Sequence, residues 1–214
     1  LESSAEPAAQ DEWQEFVNCL TTNLTAFFRE SHHFDALAQL LRAKPTHAWR
    51  IWCAAASTGE EPYSIAMTCA ESLGANGQYE IVNSDIDTKV LAAAQRGVYK
   101  TDGNKGLSAE RLQRFFLRGK GANAGYMRVK PELQKHLSFQ PVNLIHELPL
   151  RETFDVVFCR NVMIYFDAPT QRAVLERIHR VMRPGGTLFV GHAENFSDAR
   201  HLFALRGKTV YERL

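Results

Sequence analysis

The sequence predicts an α/β fold: a doubly wound, mostly parallel sheet with an antiparallel hairpin at one edge and a small antiparallel β insertion. Three observations predict it. From residue 50 onward, short apolar runs alternate with segments of helical period. Two of those runs, 50–56 (RIWCAAA) and 154–159 (FDVVFC), are almost continuously apolar, as strands covered on both faces are. Near the C-terminus, 202–205 and 209–213 face each other across Arg206-Gly207-Lys208, a hairpin pattern.

The elements follow in order. Residues 1–10 (LESSAEPAAQ) are small, polar and Pro-containing, hence a linker. Trp13, Phe16, Val17 and Leu20 recur at helical spacing. A second helix is expected from Thr22 or Asn23, carrying Leu24, Phe27 and Phe28, and a third apolar stretch spans 34–41. The first strand, 50–56, breaks at Ser57-Thr58-Gly59, and Glu60-Glu61-Pro62 opens a helix whose positive end favours the two carboxylates. Strand 79–84 ends on Asp85, and 89–96 is helical. Strands 137–141 and 154–159, helix 169–182, a turn at Pro184-Gly185-Gly186 and strand 187–191 complete the alternation. Between the halves lie β-prone pieces at 114–117 and 126–130, separated by Gly119-Lys120-Gly121 and Ala124-Gly125, which predict the insertion.

Length and composition bound the function. The 214 residues, 45% hydrophobic and 23% charged, suit one sizeable domain and exclude disorder and small disulfide scaffolds. No apolar run approaches the roughly 18–20 residues of a membrane helix, and no leader is visible. Cys19, Cys53, Cys69 and Cys159 form no C-x-x-C pair, which suits a reduced, cytoplasmic protein. Leu at position 1 predicts a fragment: 1–20 would be a linker and helix from an upstream helical domain, and 21–214 the main domain. The net charge of +1 conceals polarity. Residues 96–135 hold ten Lys or Arg against three Asp or Glu, so the remainder is net acidic. This argues against nucleic acid as a general partner and points to a solvated face or an acidic partner.

In a doubly wound sheet the ligand sits at the carboxyl ends of the strands. The first loop, A-A-A-S-T-G-E-E, has neither G-x-G-x-x-G nor a phosphate cradle, and Glu60 suits a positive centre better than a phosphate chain. Asp85, 26 residues after Gly59, stands where an acid takes a ribose diol. Asn143 and Leu144 offer an amide and an apolar contact for an adenine, and Arg160, Asn161 and Tyr165 follow the fourth strand. Together they suit a nucleoside carrying a cation, as in S-adenosylmethionine. Each has a structural alternative: helix caps for Glu60 and Asp85, a turn for Asn143, packing for Tyr165. His32-His33 make poor chelators because adjacent residues face different sides of a helix, so no metal is expected.

The segments TTNLTAFFRE (21–30), STGEEPYS (57–64), SDID (84–87), CRNVMIYFD (159–167) and GHAENF (191–196) resemble the CheR family of chemotaxis receptor glutamate methyltransferases. The resemblance spans Asp11 to Arg213. It implies a class I S-adenosylmethionine-dependent methyltransferase, Rossmann-like, forming glutamyl methyl esters on methyl-accepting chemotaxis receptors and releasing S-adenosylhomocysteine. It also implies a cofactor site of Asn23, Thr25, Arg29, Glu60, Asp85, Asn143, Leu144, Arg160 and Asn161, with Arg29 and Tyr165 nearest the transferred methyl. The basic insertion, 98–135, would then grip a short peptide at the receptor's C-terminus, and the enzyme would be a cytoplasmic monomer without membrane insertion. The alternatives are a methyltransferase acting on another protein or a small-molecule carboxylate, and a regulatory module that senses the cofactor or its product without catalysis.

Overall fold

Period-two alternation divides the central strands between two apolar layers. In β1 (Trp49–Cys53), Ile51 and Cys53 point to one side while Trp52 points to the other. The first layer gathers α1 (His32–Ala43) through Phe34, Leu37 and Leu41, and α2 (Glu60–Leu73) through Tyr63, Ile65 and Met67. The second gathers α6 (Ala168–Val181) through Val174, Leu175 and Ile178, with Phe154 and Leu188 from the sheet. Trp52, Tyr63, Phe154, Phe158 and Phe189 are fully buried. Each such side chain is worth about 1.5–3 kcal/mol of transfer free energy, which makes helices on both faces the stable arrangement.

The computed structural model describes residues 14–16, 18–19, 23–102, 104, 106–150, 153–194, 196 and 199–214. The expected linker at 1–10, with Trp13, Val17, Leu20, Thr22 and Asn195, lies outside the described residues. The remaining elements are β2 (Tyr79–Asp85), α3 (Thr88–Arg96), β3 (Val98–Lys100), α4 (Ala109–Phe115), β4 (Phe116–Arg118), β5 (Tyr126–Val129), α5 (Pro131–Gln134), β6 (Leu137–Pro141), β7 (Phe154–Cys159), β8 (Met182–Val190), β9 (Phe203–Gly207) and β10 (Val210–Arg213). The main sheet runs β6-β2-β1-β7-β8-β10-β9. Its first five strands are parallel, and β10 pairs antiparallel with both β8 and β9. Strand order reverses between β1 and β7, the switch point at which such sheets open a crevice. The expected hairpin is therefore β9–β10, and the insertion is a separate sheet in the order β3-β5-β4.

Three expectations need correction. No helix spans 23–31: residues 23–26 are irregular, Phe27-Phe28 turn, and Phe28 and Glu30 take left-handed φ values of 54° and 56°. The two adjacent phenylalanines must reach different partners, Phe27 against Tyr99 and Phe116, Phe28 against Phe34, and the turn allows this. Of the β-prone piece expected at 114–117, residues 116–117 belong to β4, but 114–115 end α4, a helix that Ser108 caps by accepting the Arg111 N–H at 3.2 Å. Finally, Pro184-Gly185-Gly186 lies inside β8, where the register with β7 shifts between Phe154 and Val156.

Candidate active site

A cleft of about 400 Å³ opens at the carboxyl ends of the parallel strands, within the size range of small-molecule sites. β1 delivers Ala54, Ala55 and Ser57; β2 delivers Asp85 and Ile86; β6 delivers Val142 to Ile145; β7 delivers Arg160 to Val162, Tyr165 and Phe166. Asn23, Thr25 and Arg29 close it from the N-terminal side. Nine of the ten site residues expected from sequence line this cleft: Asn23, Thr25, Arg29, Asp85, Asn143, Leu144, Arg160, Asn161 and Tyr165. Glu60 does not. Its carboxylate accepts the Thr58 hydroxyl at 2.6 Å, and the neighbouring Glu61 lines the cleft instead.

Asp85 is fixed by its own surroundings. Its Oδ2 accepts the Ser57 N–H at 2.8 Å and its Oδ1 the Asp87 N–H at 3.0 Å. Burial raises its carboxyl above the usual range, partly offset by those two donors. Asp87 caps α3 through the Lys89 and Val90 N–H groups and accepts from Asn23 Nδ2 at 3.2 Å, so the cofactor-side loop and the 23–29 segment share one polar network. Asn143 turns its own loop by accepting the Ile145 N–H at 3.1 Å.

Arg160 is a buried charge of the site, 4% exposed. Its guanidinium pairs with Glu61, donates to the Arg29 carbonyl at 2.7 Å and lies 3.4 Å from Glu30 Oε2. Burial pushes the Glu61 carboxyl up, while Arg160 opposes that shift. Burial would also raise Glu30, but Arg160 and the His192 N–H outweigh it and hold this carboxyl low. Arg160 thus organises the wall on which the Arg29 backbone rests. The Arg29 guanidinium donates to the Leu24 carbonyl at 2.8 Å, which tightens its own turn. Tyr165 stands at the mouth, 61% exposed.

Sequence reasoning missed the group that holds the Arg160–Tyr165 loop. Glu194, 4% exposed, accepts N–H groups from Asn161, Val162, Met163 and Gly191 at 2.5–3.0 Å. Asn161 is left-handed at φ 57°, and Ser57 is left-handed at φ 46°. Non-glycine residues in that region are costly and collect at functional sites. The signal was the last motif, GHAENF, whose acid lies next to the cleft loop only in three dimensions.

Glu30, His32 and His33 each bring one potential ligand atom within 4.8 Å of the others, and the buried His32 Nε2 and His33 Nδ1 make no hydrogen bond. Burial, with Arg160 nearby, pushes the His33 ring down to about 3, so it is neutral. The Arg160 guanidinium already supplies positive charge beside Glu30, which makes the cluster a poor host for a dication.

Comparison with known proteins decides the class. A family model described as CheR methyltransferase, SAM binding domain, matches residues 23–211. The chain belongs to the CheR methyltransferase family. A chemotaxis protein methyltransferase of Escherichia coli (strain K12) is 52% identical over 202 residues, covering 94% of this chain and 70% of that protein. Chemotaxis protein methyltransferase 2 of Pseudomonas aeruginosa is 53% identical over 207 residues, covering 94% and 73%. Among solved structures, TrmN from Thermus thermophilus shares the fold alone, with a TM-score of 0.51 at 16% identity over 85% of this chain and 48% of that one. The CheR domain is thus a class I S-adenosylmethionine-dependent methyltransferase acting in chemotaxis, and its cleft brings the Asp85 carboxylate, the Asn143 amide and apolar side chains such as Val142 and Leu144 into one lining. Among the described residues, no helix is long and apolar enough to cross a membrane.

Proposed function

We propose that the chain transfers the methyl group of S-adenosylmethionine to glutamate carboxylates of methyl-accepting chemotaxis receptors, with residues 98–135 serving as an inserted docking subdomain of a 21–214 catalytic domain. The observation that carries this reading is the convergence of Arg29 and Tyr165 on one cleft with the strand-end polar residues.

When bound, the cofactor supplies a methyl carbon made electrophilic by its sulfonium. The acceptor, a carboxylate of pKa about 4.3, is already ionised at neutral pH, so the chain needs no general base. Transfer would form the carboxylate oxygen–methyl bond and break the sulfur–methyl bond, releasing the thioether, so both charges would fade and strong hydration of either would slow it. The chain's task is therefore to exclude water and align the reactants. In this reading Asp85 takes the ribose, Asn143 and Leu144 the adenine, and Asn23, Thr25, Arg160 and Asn161 the remaining polar groups. Arg29 orients a carboxylate, and Tyr165 closes the mouth over the sulfonium.

The insertion offers β4 as an outer strand beside β5, with Leu117 half exposed and Arg118, Lys120 and Arg128 exposed around it. An acidic receptor-tail peptide added at that edge would raise the local concentration of acceptor glutamates. Such an acceptor places the enzyme in the cytoplasm.

The decisive experiment incubates the protein with labelled S-adenosylmethionine and receptor cytoplasmic domains and scores base-labile label. Esters are expected on the receptor, and their absence overturns the acceptor assignment. Arg29→Ala should lower turnover or cofactor affinity; wild-type values of both remove Arg29 from the site. Tyr165→Phe separates ring from hydroxyl, since an unchanged rate leaves only the ring.

A further inference from the structure

The insertion does more than stand beside the cleft, because two of its side chains reach the loops that form the cleft's walls. Arg111, on α4, lays its guanidinium 3.8 Å from the centre of the Phe28 ring and donates to both carboxylate oxygens of Glu71 on α2, at 2.9 and 2.8 Å. Phe28 is the left-handed residue immediately before Arg29, and its N–H donates to Ser64 Oγ at 2.9 Å. A planar cation stacked on that ring and forked onto α2 clamps the turn to the helix below it. Phe27, on the other side of the turn, meets Tyr99 at 4.9 Å and Phe116 at 5.8 Å, both from the inserted sheet.

Tyr99, on β3, makes the second reach. Its hydroxyl donates to the Thr58 carbonyl at 2.9 Å. That contact lies in the loop between Ser57, which donates to Asp85, and Glu60, which opens α2. The approach is so close that a Cβ on Gly59 would lie 2.6 Å from the Tyr99 oxygen, and Gly59 holds φ at 101°. One small sheet thus buttresses both the 25–30 turn and the 57–60 loop.

We propose that Arg111 and Tyr99 are positioning residues for methyl transfer: they seat the inserted sheet against the two loops that carry Arg29 and Ser57, so the insertion is part of the catalytic frame and not only a docking handle. The inference deepens the reading above and rests on its placement of Arg29 and the cofactor in this cleft. It concerns groups that touch no reactant and act through Phe28 and Thr58.

The test uses the whole chain with Tyr99→Phe, which keeps the ring and removes one hydrogen bond, and Arg111→Lys, which keeps the charge and removes the planar fork. Affinity for S-adenosylhomocysteine is read by calorimetry, kcat and KM by label transfer, and folding by the urea midpoint. Each variant should weaken product binding or kcat by about three- to tenfold, the worth of one net hydrogen bond or exposed cation–π contact. Affinity for an acidic receptor-tail peptide should be unchanged. Binding and kcat both within twofold of the unmodified chain overturn the proposal. So do losses that disappear when variants are assayed at matched distance below their melting temperatures, since a purely structural role predicts that result. Homocysteine-form binding needs no acceptor: if the unmodified protein methylates no receptor yet the variants still bind more weakly, the acceptor assignment falls and the positioning role stands.

Discussion

Glu194 holds Asn161 from behind: its Oε2 accepts the Asn161 N–H at 3.0 Å, while Asn161 keeps a left-handed backbone on the wall of the cleft. The same carboxylate takes the next two N–H groups along the chain, so it acts as the anion cap of the short turn that ends on Tyr165. Charge-assisted bonds of this kind are about twice as strong as neutral ones.

Replacing that anion should therefore be felt at the cofactor. Glu194→Gln sets a donor against N–H donors, and cofactor affinity should fall by about ten- to a hundredfold, as expected for lost hydrogen bonds to a charged group. Calorimetric titration with S-adenosylhomocysteine reads the change; an unaltered affinity would separate Glu194 from the site.

Gly191 is where the Glu194 loop passes under Asn161. A Cβ there would lie 2.4 Å from Asn161 Nδ2 and 2.8 Å from its backbone nitrogen. Gly191→Ala should cost about 1–3 kcal/mol by overpacking and also weaken cofactor binding. Gly185→Ala is the control: its φ of 73° strains an alanine, but nothing lies within 4 Å, so about 1 kcal/mol and no binding effect are expected. Urea unfolding beside titration distinguishes the two.

Arg160 and Glu61 neutralise each other away from water. Arg160→Met should destabilise by about 3–5 kcal/mol, because it strands Glu61, whereas Arg160→Met with Glu61→Leu should recover much of the loss. Chemical denaturation of the single and double variants checks the order; a double variant no more stable than the single would refute the pairing.

Acid should act through His33. Its ring, buried against Phe189 and hydrogen-bonded to Thr209, is held near 3 by burial, whereas the unfolded chain protonates it near 6.5. The unfolded state binds the extra proton, so this residue's contribution is complete above pH 6.5 and declines as pH falls from 6.5 toward 3, by at most about 1.4 kcal/mol per pH unit. The stability of His33→Gln should have a flatter slope in that window; parallel curves would exclude His33 as the source.

Much of the site was legible because its residues obey a positional rule: polar groups directly after strands of a doubly wound sheet face the crevice, and Asp85, Asn143, Leu144, Arg160 and Asn161 do so. What was illegible depends on distance in the chain. Asn23 to Glu30 carry good helix signals, but Phe27 and Phe28 are claimed by different partners within one apolar layer, and packing overrides propensity. Glu60 and Glu61 are indistinguishable as neighbours at a helix start; only the position of Arg160 selects Glu61 as the buried partner. Likewise nothing near Arg111 in sequence announces Phe28.

The cleft is stitched from five separated stretches of chain, near residues 25, 56, 85, 144 and 161. No short segment contains it, so ligand occupancy reports on the assembled sheet: a preparation that takes up cofactor stoichiometrically has the strands that carry these stretches in order, and titration can grade purified batches or library variants for intact topology before any receptor is supplied.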